Sequence, residues 1–266
     1  TQLQFRDVHG VDADTAYALT IGTGPESRVF RTTDGGVSWA QAWENPDTAA
    51  FYDCFDFWNA ERGLMIGDEV NGEIMMLETH DGARHWTPVR AASLPPALAG
   101  EGSFASSGTC LVTRPGGHAW VSTTKGRVLH TADYGRTWTV SVTPTTVTDS
   151  TGVPSVSFRD DLHGMAFGGY GARPTDILVA VTDDGGATWT VRTRTPMRGG
   201  IWGGSYVPGT TGSVAAVGAT GAAYSLDDGR SWTQLDTLDY WGIGFASRDA
   251  GWIVGRGGRI VKLSGF

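Results

Sequence analysis

The sequence predicts an all-β fold: a six-bladed β-propeller of four-stranded antiparallel blades, closed by the N-terminal strand joining the last blade. Three observations carry that expectation. An eight-residue box recurs along the chain, as TTDGGVSW (residues 32–39), TADYGRTW (131–138), TDDGGATW (182–189) and SLDDGRSW (225–232), with a worn copy THDGARHW at 79–86. Its carboxylates, Asp34, Asp81, Asp133, Asp184 and Asp227, lie 47, 52, 51 and 43 residues apart, which is the length of four short strands with their turns. Composition agrees: 39 Gly and 11 Trp in 266 residues, with only 18% charged, suit tight turns and large aromatics between sheets. A helical repeat of this period would carry a 3.6-residue apolar rhythm and few glycines, and neither is present.

Each repeat divides in the same way. In the fourth, GVPSVSFRDD, HGMAFGG, DILVAVTDD and ATWTVRT are successive strands; in the second they are FYDCFDFWNAE, RGLMIGD, EIMMLETHD and HWTPVR. The box therefore falls on the hairpin between the third and fourth strands. Its Asp accepts hydrogen bonds from turn amides, its Gly supplies positive φ, and its hydroxyls tie down the flanking backbone. The Trp opens the outer strand and is expected to bury its ring against a neighbouring sheet. A turn element made five times is architecture, so Asp34, Asp81, Asp133, Asp184 and Asp227 are structural. The last repeat gives only three strands before Phe266. Thr1-Gln2-Leu3-Gln4 matches Thr233-Gln234-Leu235-Asp236, the outer strand after the last box, so the N-terminus is expected to supply the missing strand and leave no open edge. The blades are then approximately 5–43, 51–90, 103–143, 153–194, 198–237, and 238–264 plus 1–4, in one domain.

Composition also excludes partners. A formal net charge of −8 repels nucleic acid and anionic membranes, and no apolar run is long enough to span a bilayer. The chain opens at Thr1 with no charged-then-apolar leader, consistent with a removed signal peptide or a trimmed chain. Two cysteines, Cys54 and Cys110, leave one bridge or two buried thiols open, and no Cys/His spacing of a zinc site occurs. No HExxH, P-loop, dinucleotide glycine motif or EF-hand loop is present, which disfavours NAD or flavin chemistry.

The box resembles the Asp-box, or BNR, repeat of sialidases and related secreted propellers. The fuller unit, a turn such as RDDLHG or SRDAG followed by an apolar strand ending in Gly and then a box, resembles photosystem II stability/assembly factor-like propellers. The resemblance covers essentially the whole chain and implies the fold, an extracytoplasmic location, and either an assembly role or sugar chemistry. Two departures limit it. The Arg-Ile-Pro of sialidases is missing, and their arginine cluster and Tyr/Glu pair cannot be placed here. The assembly factors are usually seven-bladed with a basic patch, whereas this chain is six-bladed and acidic.

In a propeller, the loops between second and third strands, and those from each outer strand to the next inner strand, share one face. That face is expected to carry ENPDTAAFYD, RAASLPPALAGEGS, TPTTVTDSTGVPS, PMRGGIWGG, DTLDYWG, GTGPESR, DEVNGE and GYGARPTD. Tyr52, Trp202, Tyr240 and Trp241 stand at inner-strand entries, either as packing between blades or as a stacking surface for a sugar or a partner side chain. Asp53, Asp68, Glu69 and Glu101 are loop acids of the first three blades. They are candidates for acid–base work on a glycosidic bond, or for holding a hard cation such as calcium; otherwise they are loop caps. No other cofactor is expected. Arg28, Arg173 and Arg198 flank the same face, to fork a carboxylate or to neutralise the acids. The Pro-containing connection from Ala91 to Gly102 is long enough to be functional. These features rank a non-catalytic, monomeric binding or assembly propeller first, with a protein, sugar or small molecule at the loop face. A glycosidase-like or sugar-binding propeller comes second, and a metal-dependent hydrolase or lyase with its site at the central channel third.

Overall fold

Short runs rich in Val, Ile, Phe and Tyr, each ending in a Gly or Asp turn, fold back on themselves as meanders. The computed structural model describes residues 3–145, 151–169 and 179–266. The first sheet is β1 (Gln4–Gly10), β2 (Ala16–Ile21), β3 (Arg28–Thr32) and β4 (Ala40–Glu44); the second is β5 (Tyr52–Phe57), β6 (Gly63–Gly67), β7 (Met76–Thr79) and β8 (Thr87–Pro88). The third is β9 (Leu111–Arg114), β10 (His118–Ser122), β11 (Arg127–Thr131) and β12 (Thr139–Val142). The fourth comprises β13 (Ser155–Phe158), β14 (Gly164–Phe167), β15 (Val179–Thr182) and β16 (Thr190–Val191). The fifth comprises β17 (Ile201–Tyr206), β18 (Val214–Gly218), β19 (Gly221–Ser225) and β20 (Thr233–Asp236). The sixth has three strands, β21 (Tyr240–Ser247), β22 (Ala250–Gly255) and β23 (Arg259–Leu263). Within every sheet, neighbours follow chain order, and these sheets are the blades of a six-bladed β-propeller. No helix among the described residues is long and apolar enough to cross a membrane.

The chain packs as two compact units, residues 1–121 with 130–139, and residues 122–129 with 140–266. In the first, Tyr17, Leu19, Val29, Tyr52, Phe55, Phe57 and Met65 form the core. Tyr17 stacks on Phe57 with centroids 4.2 Å apart, and its hydroxyl donates to the Ala60 carbonyl at 2.8 Å. In the second, Met165, Phe167, Val179, Ile201 and Val214 form one core cluster, and Val217, Tyr240, Ile243 and Ile253 another. Cys54 and Cys110 are joined in a disulfide, Cα–Cα 6.3 Å, so the bridged alternative holds.

All five boxes lie on the turn between third and fourth strands. Asp133 Oδ1 accepts from the Thr131 hydroxyl (2.9 Å) and the Thr137 amide (2.8 Å), while Oδ2 accepts from the Thr137 hydroxyl (2.7 Å). The same three bonds recur at Asp34, Asp184 and Asp227. In the worn box His85 stands in for the second hydroxyl, its Nδ1 lying 2.5 Å from Asp81 Oδ2. Each turn needs two consecutive residues of positive φ; Tyr134 (φ 62) and Gly135 (φ 81) supply them in the third blade, and the clamp holds the non-glycine there.

The box Trp residues do not all behave alike. Trp138 and Trp189 are buried, and Trp86 and Trp232 pack on the core clusters. Trp189 reaches back to the preceding sheet, where its Nε1 donates to Ser141 Oγ at 3.0 Å. Trp39 is 43% exposed, against the expectation of a buried ring. The closing strand needs correction as well. Gln4 begins β1 and pairs with Ile21 in the first blade, while Thr1 and Gln2 lie outside the described residues; the sixth sheet is three-stranded among those described.

Candidate functional site

The loop end of the first unit brings the predicted acids together. Asp53 lies on β5 and is 3% exposed; Asp68 follows β6, anchored by its amide donating to the Phe51 carbonyl at 3.0 Å. The connection from 91 to 102 is laced over the β6–β7 turn. Glu69 Oε1 accepts from the Gly72 amide (3.2 Å) and Oε2 from the Gly100 amide (2.9 Å). Glu101 Oε2 accepts from the Leu98 amide (2.8 Å), and the Glu101 carbonyl from the Glu69 amide (2.7 Å). Glu69 and Glu101 are thus loop caps.

The same lacing delivers the Ser103 amide to both aspartates. A Cβ on Gly102 would overlap the Asp68 carboxylate, so a side chain there would disrupt the approach. Burial, then the charge of Asp68, pushes Asp53 well above the usual carboxylate range, against the Ser103 amide. Partial desolvation raises Asp68, with Glu69 adding to it and the Ser103 amide opposing. Asp53 Oδ2 has no hydrogen-bond partner. Of the two, only Asp53 is buried; Asp68 is exposed, so the buried carboxyl is not open to a substrate as one of an acid–base pair would be. Among the described residues, no group of three or more His, Cys, Asp or Glu is arranged to hold a metal.

Arg28 does not join these acids. Its Nε donates to the Pro25 carbonyl (2.7 Å), Nη1 to Gln41 (3.2 Å), and Nη2 pairs with Glu44 (3.3 Å). Arg173 lies outside the described residues. Arg198 is exposed. Tyr52 (1% exposed) and Tyr240 (0%) are core residues, which corrects their placement as ligand-facing aromatics. Their rings fill space between strands instead. Burial first, then the hydrogen bond to Asp236, pushes the Tyr240 phenol up to about 12.

A second group was missed in the sequence. Asp7 and His9, two apart on β1, meet Asp56 of β5. Asp7 accepts from the Phe55 amide at 2.9 Å, His9 Nδ1 pairs with Asp56, and Asp56 Oδ2 accepts from the Thr113 amide at 2.7 Å. Burial, opposed by the Phe55 amide and aided by Asp56, pushes Asp7 up to about 8. Burial works against the charged imidazole of His9, yet the neighbouring Asp56 and Asp7 raise it. The Asp-x-His alternation on one inner strand was the available signal.

In the second unit, Trp202 of β17 and Trp241 of β21 do come together, ring centroids 4.5 Å apart at 51°. Arg256 lies over Trp241, Cζ 5.8 Å from the ring, and its Nε pairs with Asp239 at 2.8 Å. Arg259 fixes that corner by donating to the Asp239 carbonyl at 2.9 Å. Trp202 is nearly buried (7%) and Trp241 half-buried, so the pair presents one aromatic edge beside an exposed guanidinium. Such an edge suits a planar or cationic side chain of a ligand.

Box-turned sheets with variable loops at their other ends define the chain as a β-propeller. Among solved structures it is similar to YCF48 bound to a D1 peptide, at 16% identity and TM-score 0.57, covering 100% of this chain and 95% of that one. It is similar to YCF48 from Cyanidioschyzon merolae at 16% identity and TM-score 0.55, covering 99% and 96%. It is also similar to an ancestral GH74 enzyme at 15% identity and TM-score 0.61, covering 97% of this chain but 38% of the enzyme. At such identities the likeness is one of fold. No family model and no curated protein sequence matches the chain.

Proposed function

We propose that this chain is a non-catalytic binding propeller of the assembly type, which holds a segment of a partner protein at the loop ends of its blades. The observation that carries this reading is the Trp202–Trp241 pair edged by Arg256 and Asp239. An aromatic edge with an adjacent charged pair is the composition of an interface anchor. Two further observations support it. The aspartates that a glycosidase would need on either side of an open cleft include one that is 3% exposed under a laced loop, and Arg28 is turned to Glu44. The like-folded YCF48 has been solved with a D1 peptide, which makes a peptide-sized partner the natural first candidate. The Cys54–Cys110 disulfide supports an extracytoplasmic location, since such bridges persist in oxidising compartments.

The test is capture of partners from the source organism by wild type and by a folded Trp241→Ala/Arg256→Ala variant. Binding of the captured protein, or a peptide from it, is then measured directly. Loss of an anchor of this kind weakens binding about 30-fold or more. Equal affinity of the two forms, or saturable binding of oligosaccharides with turnover, overturns the proposal.

A further inference from the structure

At the box ends of the fourth and fifth blades, within the second unit, lies a cleft of about 250 Å³ lined by Arg159, His163, Thr190, Arg192, Asp228 and Arg230, among others. Its size falls just below the range of about 300–1,000 Å³ seen for drug-sized ligands, so it suits one small polar group. Nothing in the turn-clamp architecture accounts for three arginines converging there. We propose that this cleft binds a tetrahedral oxyanion, a phosphate or sulfate group, with Arg192 as its principal ligand and Arg230 and Arg159 beside it.

The charges sort the three arginines. Arg159 is already paired, its Nη1 3.1 Å from Asp160 and its Nε 3.7 Å from Asp228. Asp160 also holds His163 at 2.8 Å, and Asp228 accepts from the Tyr206 hydroxyl at 2.6 Å. These two carboxylates are therefore engaged, and they fix Arg159 in place. Arg230 donates one Nη to the neutral Asp227 carbonyl at 3.0 Å. Arg192 has its Nε buried without a hydrogen-bond partner. Its stem lies along the backbone at Gly229, where a Cβ would sit 3.6 Å from Cγ, so the guanidinium is carried on a packed stem. The three arginines are matched in number by Asp160, Asp183 and Asp228, but both carboxylates in ion pairs are held on Arg159. Among the described residues neither Arg192 nor Arg230 makes an ion pair, so these two guanidiniums are left open to a ligand. A carboxylate is satisfied by one guanidinium fork. Guanidiniums from three separate segments match a group with oxygens on several sides, as guanidinium-rich phosphate sites do.

The experiment is isothermal titration of the full chain with inorganic phosphate, sulfate and acetate, with ionic strength held constant by chloride. Wild type is compared with Arg192→Gln and Arg192→Lys, with Arg84→Gln as the charge-matched control. Arg84 makes the same carbonyl contact in the first unit's worn box, to Asp81 at 2.8 Å. The expected result is saturable phosphate or sulfate binding, weakened at least tenfold by Arg192→Gln, less by Arg192→Lys, and unchanged by Arg84→Gln. Glucose 6-phosphate and glucose 6-sulfate distinguish a free anion from an ester, since tighter binding of either ester places the group on a larger molecule. No saturable binding in wild type, acetate binding as tightly, or equal loss with Arg84→Gln overturns the proposal. Retention of fold in the variants is checked by their thermal midpoints; if Arg192→Gln unfolds, Arg192→Lys alone decides, and an unchanged affinity there refutes Arg192 as the principal ligand.

Discussion

Reducing the Cys54–Cys110 disulfide should cost the chain about 4 kcal/mol of stability. The bridge spans a sequence separation of 56. In the chain-entropy treatment a closed loop of that length removes roughly 14 cal/mol/K from the unfolded ensemble, which is about 4 kcal/mol at 25 °C. Both sulfurs are fully buried, Cys54 on β5 and Cys110 immediately before β9, so reduction leaves the thiols packed and adds little cavity cost. Equilibrium urea denaturation with and without reductant, with thiols counted in each sample, reads the difference. At a slope of about 3 kcal/mol/M the midpoint falls by more than 1 M, and the thermal midpoint by roughly 10 °C. A Cys54→Ala/Cys110→Ala variant should behave as the reduced chain, or slightly worse. A loss below about 1 kcal/mol with both thiols verified would refute the reasoning, because the loop closed by the bridge would then be constrained by other means.

Three further perturbations test the carboxylates. The hydroxyl and amide of Ser38 hold Asp34 at about 2, and those of Ser231 do the same for Asp227. Their contribution is present above the unfolded value of 3.8 and is lost as pH falls toward 2, so Asp34→Asn should flatten the acid limb of the stability profile; an unaltered limb removes the clamp from the account. Asp53 shifts the other way: its raised value means that the folded state keeps a proton which the unfolded state releases above 3.8. Stability is lost as pH rises above 3.8, so Asp53→Asn should gain on wild type as pH climbs from that value, and parallel profiles would contradict a raised Asp53. Gly102→Ala forces a methyl onto Asp68 and should cost about 1–3 kcal/mol by overpacking. Most of that loss should disappear in the Asp68→Ala background, and additive losses in a double-mutant cycle would show that the two do not touch.

The fold was legible because a blade is specified locally and repeatedly. The spacing of Asp34, Asp81, Asp133, Asp184 and Asp227 gave the period, and each box carries its own turn chemistry in eight residues. Even the worn copy keeps the geometry, with an imidazole where the others place a hydroxyl. Failures fall where local pattern is silent about what lies beside it. Trp39 has the box spacing, yet its ring is 43% exposed. Tyr52 and Trp241 both stand at inner-strand entries, yet one is 1% exposed and the other half-buried, because neighbouring side chains rather than strand position decide which aromatic reaches the surface.

The loop acids fail for the same reason in reverse. Sequence placed Asp53, Asp68, Glu69 and Glu101 on adjacent loops but could not say that Glu69 and Glu101 point at the amides of Gly100 and Leu98. Once those two carboxylates cap the loop, the Ser103 amide is delivered to Asp53 and Asp68, and Asp53 is buried beneath it. Four acids that suggest catalysis by proximity in the chain are thereby divided into two caps, one buried aspartate and one exposed one. The two proposed recognition sites fall instead on residues that no repeat dictates: Trp241 with Arg256 at one end of the second unit's blades, and Arg192 at the other. A propeller permits this because its turns and cores fix the backbone regardless of what the loop ends carry, so sites can differ while the repeat stays intact.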